Sequence, residues 1–311
     1  MTITAAETPV PAAAGRTPVH PAVRRRMLKK RFTLVGLLIP GGAWLALFFV
    51  APILTLVILS LSTGNVGLGW HLTYTWSNFT QSITSYKAEF LHSFEFGTAA
   101  TVVALLVSYP AAYWIAFYGG QKKTTYLLIV LLPFYVSQLI RTISWQFILA
   151  DQGIFLGPLK ALHLMPQNFH ILATPWAVIG GLTYAQIPYM LLPIFAALER
   201  IDRSFIEASK DLYATKWETV RRVVLPLSTP GIFAGVLLVF ISATGDYVNE
   251  VILGGTGTGV IGNIINSQFF VNMNYPFAAA LSLVLMVALL IIVIVYSKSL
   301  GTEDLMGGGT Y

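Results

Sequence analysis

Between residues 34 and 296 the chain carries six apolar stretches of 20 to 25 residues, near Leu34–Ile58, Phe96–Phe117, Leu127–Leu149, Ala177–Leu198, Gly231–Leu253 and Phe277–Tyr296. A helix rises about 1.5 Å per residue, so each stretch is long enough to cross a hydrocarbon core of roughly 30 Å. Lipid offers backbone amides and carbonyls no partner, so spans of this composition must be helices. The charge content agrees. Only 10% of the 311 residues are charged, against about 25% in a typical soluble domain, too few to solvate a surface of this size. The expected fold class is therefore all-α, a polytopic membrane protein with six transmembrane helices.

The positions of the positive charges set the expected orientation. With the N-terminus inside, seven Lys or Arg fall in the N-terminal tail, two at Lys122 and Lys123, six within 199–229 and one at Lys298. Outside there are only Lys87 and Lys160, and Arg141 lies within the third stretch. Excess Lys and Arg mark the cytoplasmic side, so both termini are expected there. A net charge of +6 needs no nucleic-acid partner when its cations line a membrane face. Residues 1–31, rich in Ala, Pro and Thr before a basic cluster from Arg24 to Arg31, are expected to be a disordered cytoplasmic tail. Residues 32–300 form the membrane domain and 301–311 a second cytoplasmic tail. The outer loop 59–95 holds Trp70, Tyr74 and Trp76, which suit a membrane-interface belt.

The cytoplasmic loop 199–229 is the densest in charge. Ser204-Phe205-Ile206-Glu207 fits a capping box, and Thr215-Lys216-Trp217-Glu218 repeats it eleven residues later. The pattern predicts two short helices, about 205–213 and 216–224, closed by Leu225-Pro226. Thr229-Pro230 then reads as an N-cap with Pro at the first position of the fifth span. Exposed short helices below a membrane serve either as a handle for a cytosolic partner or as a solvated connector.

The residues of this loop resemble a known motif. Glu207-Ala208-Ser209-Lys210-Asp211-Leu212-Tyr213-Ala214, followed by Leu225-Pro226-Leu227 and Pro230-Gly231, is similar to the EAA loop of ABC-importer permeases in motif, spacing and place before the next-to-last span. The resemblance implies the type I ABC-importer permease fold and a loop that docks on a cytosolic ATPase. Glu207, Ala208, Asp211, Leu212 and Ala214 would lie on the docking helix, Tyr213 and Trp217 at its turn and second helix, and Pro226 at its far support. The family usually has Gly where this chain has Tyr213. If that turn needs a left-handed backbone, Tyr costs about 1 kcal/mol or more.

Further stretches resemble the spermidine/putrescine branch of these permeases: Leu132-Pro133-Phe134 with Leu139-Ile140-Arg141-Thr142 and Trp145, Ile187 to Pro193, Gly245-Asp246-Tyr247-Val248 and Gly301-Thr302-Glu303-Asp304. Permeases for opines, thiamine or iron share parts of these patterns. The implied partners are a second, different permease subunit, two ATPase subunits that bind ATP and Mg²⁺, and an extracytoplasmic substrate-binding protein. No cofactor is expected in this chain, which has no G-x-x-x-x-G-K-[ST] motif, no cysteine and no catalytic constellation. It is expected to be a transport subunit and not an enzyme.

On a continuous fifth helix, Ser242, Asp246, Asn249 and Glu250 would share an arc of about 100°. Acids at membrane depth are expensive and should face a water-filled path or a partner charge. With Tyr247 and Trp145 they suit a polycation, through ion pairing and cation–π attraction. The competing reading pairs Asp246 or Glu250 with Arg141. Pro188 and Pro193 suggest a kinked fourth helix, packed or lining the path. Gly257 to Gly262 fits G-x-G-x-x-G by accident, since no strand precedes it. A stand-alone secondary transporter would need its own ion site and often carries inverted repeats, and no clear repeat is present.

Overall fold

The computed structural model describes residues 39–299 apart from Val66 and Leu68. The basic N-terminal tail and the 301–311 tail lie outside the described residues. In chain order the elements are α1 (Ile39–Ser60), a hairpin of β1 (Ser62–Asn65) and β2 (Gly69–Leu72), α2 (Ser77–Ser85), α3 (Lys87–Tyr118), α4 (Gly120–Tyr135), α5 (Gln138–Leu149), α6 (Leu156–Ala161), α7 (Pro175–Glu199), α8 (Arg203–Asp211), α9 (Lys216–Gly245), α10 (Val248–Leu253), α11 (Ile261–Asn266) and α12 (Tyr275–Ser299).

Five of these helices are long and apolar enough to cross a membrane: α1, α3, α7, α9 and α12. A sixth crossing exists if α4 and α5 count as one span, but they meet at 86°. The straight third span expected over Leu127–Leu149 is thus broken. Pro133 has no N–H to continue the helical ladder, the chain tightens to a 3₁₀ turn at Leu132–Tyr135, and Val136 and Ser137 turn extended (ψ 146° and 136°). The hairpin between α1 and α2 was not foreseen either. Its register pairs Ser62 with Leu72 and Thr63 with His71, and Gly69 takes φ +80°, a left-handed geometry that favours glycine.

The centre of the fold is a three-helix contact. Ala104, Ala112 and Ile115 of α3 meet Met190, Leu191, Ile194 and Leu198 of α7 and Val224 and Val239 of α9, all buried. A second cluster joins Phe96 and Ala100 of α3 to Val178 and Leu182 of α7 and to Ala243 of α9. In lipid there is little hydrophobic drive between helices, so close approach over small residues supplies the adhesion. Gly231 shows how close: a Cβ there would overlap Ala197 and lie 2.6 Å from the Pro193 carbonyl, and one on Gly235 would lie 2.9 Å from Met190 Sδ. Pro188 and Pro193 sit inside α7 without ending it, and Pro193 lies against α9. Where α4 begins and α7 ends, Lys123 pairs with Glu199 at 3.7 Å. Along α12, Val287, Leu290, Ile291 and Val295 are exposed, an apolar surface suited to lipid or to another helix.

Gly231→Leu is expected to force α7 and α9 apart at an overpacking cost of about 1–3 kcal/mol. Its melting temperature in detergent should fall below that of Gly245→Ala, a position whose Cβ would meet nothing within 4 Å.

Candidate functional site

Two regions carry chemistry, at opposite ends of α9. At the start of α9, α8 and the first turn of α9 form a pair of short helices. The cap of α8 is Asp202, whose Oδ1 accepts the Ser204 amide at 2.9 Å. The expected box at Ser204 and Glu207 does not form, because Asp202 takes the capping position and places Ser204 inside the helix. Hydrogen bonds from Ser204 hold the Asp202 carboxyl below its usual pKa. The second box is present. Thr215 Oγ1 accepts the Glu218 amide at 3.3 Å, while the Thr215 amide donates to Glu218 Oε2 at 2.9 Å.

From that cap α9 runs on through a π-helical stretch at Val220–Val224 to Gly245. Leu225-Pro226 therefore does not close a helix, and Thr229-Pro230 does not open one. Pro226 falls in the first turn after the wide π stretch, and Pro230 lies inside the helix. Their missing N–H groups remove two rungs without stopping the helix, which the core packing holds.

Tyr213 has φ +58°. The turn keeps a left-handed residue even though the side chain is Tyr, and that side chain is 96% exposed. The pair of helices is pinned from beneath: Ser209 Oγ and Thr219 Oγ1 lie 2.9 Å apart, and Ile206 packs on the core. Glu207, Ala208, Asp211, Leu212, Trp217 and Pro226 are exposed, and Ala214 is half-buried. Phe205, Leu212, Tyr213 and Trp217 together present large apolar groups on a polar loop, as interaction surfaces do.

At the other end of α9 a cavity of about 240 Å³ lies between α5, α7 and the end of α9, lined by Phe134, Gln138, Arg141, Gln186, Ser242 and Asp246 among others. The continuous stripe expected along the fifth span does not form. α9 stops at Gly245, Asp246 is extended (ψ 117°), and α10 starts afresh at Val248. The cause is Asp246 itself. Its Oδ1 accepts the Val248 and Asn249 amides at 2.8 and 3.1 Å, and its Oδ2 accepts Gln138 Nε2 and Asn249 Nδ2, both at 3.0 Å. The carboxylate thus caps α10 and ties it to α5, filling about all of its acceptor positions.

The other residues of that stripe separate. Asn249 is buried and also accepts from Thr142 Oγ1 at 3.2 Å. Glu250 is buried on α10, and its Oε2 has no hydrogen-bond partner. Tyr247 is exposed, and Trp145 packs edge-on against Tyr184 at 5.4 Å. Arg141 forms no ion pair with either acid; among the described residues the ion pairs are Lys123–Glu199 and Lys160–Asp151. Its guanidinium lies instead over the Phe134 ring, 4.6 Å from the centroid, and 5.7 Å from that of Tyr184.

Gln138, Gln186 and Tyr184 were not singled out from the sequence. The available signal was a polar side chain in an apolar span. Gln186 is 3% exposed and donates from Nε2 to Ser242 Oγ at 3.0 Å, while its Oε1 has no partner.

Residues 108–299 match the family described as binding-protein-dependent transport system inner membrane component. The chain belongs to that family. The permease is 33% identical to the spermidine/putrescine transport system permease protein PotB of Haemophilus influenzae, over 83% of this chain and 90% of that one. It is 32% identical to the Escherichia coli K12 protein of the same name, over 82% and 94%, and 31% identical to the inner membrane ABC transporter permease protein YdcU of Escherichia coli K12, over 84% and 87%. Among solved structures it resembles a chain of a bacterial ABC transporter that imports alginate, with TM-score 0.64, 19% identity and coverage of 88% and 96%. A chain of the MetNI methionine ABC transporter matches at TM-score 0.50 and 19% identity, over 76% and 100%. At that identity the likeness concerns the fold, the type I permease architecture. The permease is a multi-pass inner-membrane transport subunit.

Two outcomes test this geometry. Thr215→Ala, which removes the working cap, should lower the melting temperature by on the order of 2–4 °C, whereas Ser204→Ala should leave it nearly unchanged. Asp246→Ala should destabilise the permease by about 2 kcal/mol or more through four lost hydrogen bonds. Asp246→Asn, which keeps an oxygen toward the α10 amides, should cost clearly less.

Proposed function

We propose that this permease is one of two different membrane subunits of an ATP-driven importer for polyamines of the spermidine and putrescine class. The observation that carries the substrate is the relationship to spermidine/putrescine permeases at 32–33% identity over more than four-fifths of both chains. The cavity supports it. An acid, two amides and the rings of Phe134 and Tyr189 converge there, and a chain of ammonium groups is held by acceptors and π-faces. Asp246 supplies the negative charge of this cavity; Tyr247 and Trp145 lie outside its lining, and Asn249 and Glu250 are buried on α10.

A second permease subunit completes the path. A further relative, the spermidine/putrescine permease protein PotC of Shigella flexneri, is 24% identical over 89% of this chain, which supports a partner built on the same plan. Two cytosolic ATPase subunits bind ATP and Mg²⁺ and grip the exposed face of α8 and the start of α9, through Glu207, Ala208, Asp211, Leu212, Tyr213, Ala214 and Trp217, with Pro226 beneath. An extracytoplasmic binding protein delivers the cargo to the other side, and both termini lie in the cytoplasm. The 30 residues of α9 make a rod about 45 Å long. It joins the gripped loop to the cavity, so a push at Thr215 is felt at Asp246.

Labelled spermidine uptake into proteoliposomes holding the four-part importer tests the substrate. Uptake should require ATP and fall several-fold in Asp246→Asn. ATP-dependent uptake of another solute with no spermidine uptake would refute the polyamine reading. Glu207→Ala should leave ATP hydrolysis running while uptake falls at least ten-fold; uptake and hydrolysis both unchanged would remove Glu207 from the coupling face.

A further inference from the structure

Arg141 is a cation placed where a cation-binding cavity should be vacant. A guanidinium at membrane depth is costly, and such charges pair with acids or mark a path. Among the described residues no acid pairs with it. The nearby carboxylate of Asp246 is occupied by Gln138, Asn249 and the first amides of α10. Arg141 keeps one bond, from Nε to the Val136 carbonyl at 3.2 Å, in the extended break between α4 and α5. Its Nη1 is buried without a partner.

What holds the charge is aromatic. The Phe134 and Tyr184 rings stack 5.2 Å apart at 29°, and Trp145 closes on Tyr184 edge-first. The guanidinium lies against both of the first two rings. A charge held against two stacked rings, the second backed edge-on by Trp145, is an arrangement that binds organic cations. Phe134 and Arg141 both line the cavity, and Gln186 brings to the same cavity a buried Oε1 that accepts nothing. A buried acceptor without a donor is an open place for an N–H.

We propose that Arg141 is a resident cation of the transport path, occupying the aromatic box of Phe134 and Tyr184 in the absence of cargo, and that a cargo ammonium takes this box by displacing the guanidinium. The claim rests on the polyamine reading above. Arg141 and an incoming ammonium repel each other, so the two cannot share the box. Among the described residues the guanidinium has one hydrogen bond to break, and Val136, which accepts it, lies in an extended break and not in a helix. The arriving N–H groups find Gln186 Oε1 and the rings. Without cargo the box is filled, and small inorganic cations meet a positive charge in place of an open cation site.

The test uses the assembled importer in lipid nanodiscs, without binding protein or ATP, and methylguanidinium as a probe of the vacated box. Arg141→Ala should bind methylguanidinium at least ten-fold more tightly than the unmodified importer, and spermidine should displace it. Adding Phe134→Leu to that variant should abolish the gain. Equal methylguanidinium binding with and without Arg141, or a gain that survives Phe134→Leu, would overturn the box. Should Arg141→Ala fail to assemble, Phe134→Leu alone should weaken spermidine binding several-fold, and unchanged binding would overturn the proposal. ATP-driven spermidine uptake by the unmodified importer separates the two ideas. With uptake intact, failure of spermidine to displace methylguanidinium sinks the displacement and spares the polyamine reading. With no uptake, the polyamine reading falls first and the displacement with it.

Discussion

The close contact of α3, α7 and α9 is the constraint on which both ends of the permease depend. Helices in lipid adhere by shape, because the surrounding tails are as apolar as the side chains. Gly231 and Gly235 let α9 lie directly on Pro193, Ala197 and Met190, and Ala104 and Ala112 bring α3 to the same seam. A helix held this firmly tolerates two internal prolines and a π-helical stretch. It can therefore carry a docking loop at one end and a cavity wall at the other without a flexible joint between them.

Polar groups are handled differently at the two ends. In the loop the short helices are capped by Asp202 and Thr215 and face water on their outer side, so exposed aromatic side chains there stand out as contact surface. In the cavity one carboxylate satisfies four donors and organises a helix start, a neighbouring span and a buried amide together. Asp246 is thus an architectural group before it is a charge. That changes what surrounds it: Arg141 finds no partner acid and rests on rings.

Particular residues show where sequence reasoning reaches. The Thr215–Glu218 box was legible because both partners lie within four residues and depend on local backbone alone. The Ser204–Glu207 box has the same pattern and does not form, since Asp202 two residues earlier accepts the Ser204 amide that Glu207 would have reached. The family resemblance raises a left-handed backbone at Tyr213 only as a condition, and the structure meets it with φ +58°. Gln186 and Tyr184 were not legible, for a polar or aromatic side chain within an apolar run says nothing about which neighbour it will meet.

Six apolar runs, the lopsided positive charge and the motif at Glu207–Ala214 were enough by themselves to give a helical membrane protein and its family. These features follow from hydration and local sequence, which do not depend on the fold. Pro133 and the turn of Asp246 onto the Val248 and Asn249 amides are local seeds of the breaks in the third and fifth spans. Tertiary structure decided that the third span bends by 86° there, and that Asp246 is tied to Gln138 of α5, 108 residues away, while Glu250 is buried with no partner for its Oε2. In a medium without water the choice of partner is made by packing.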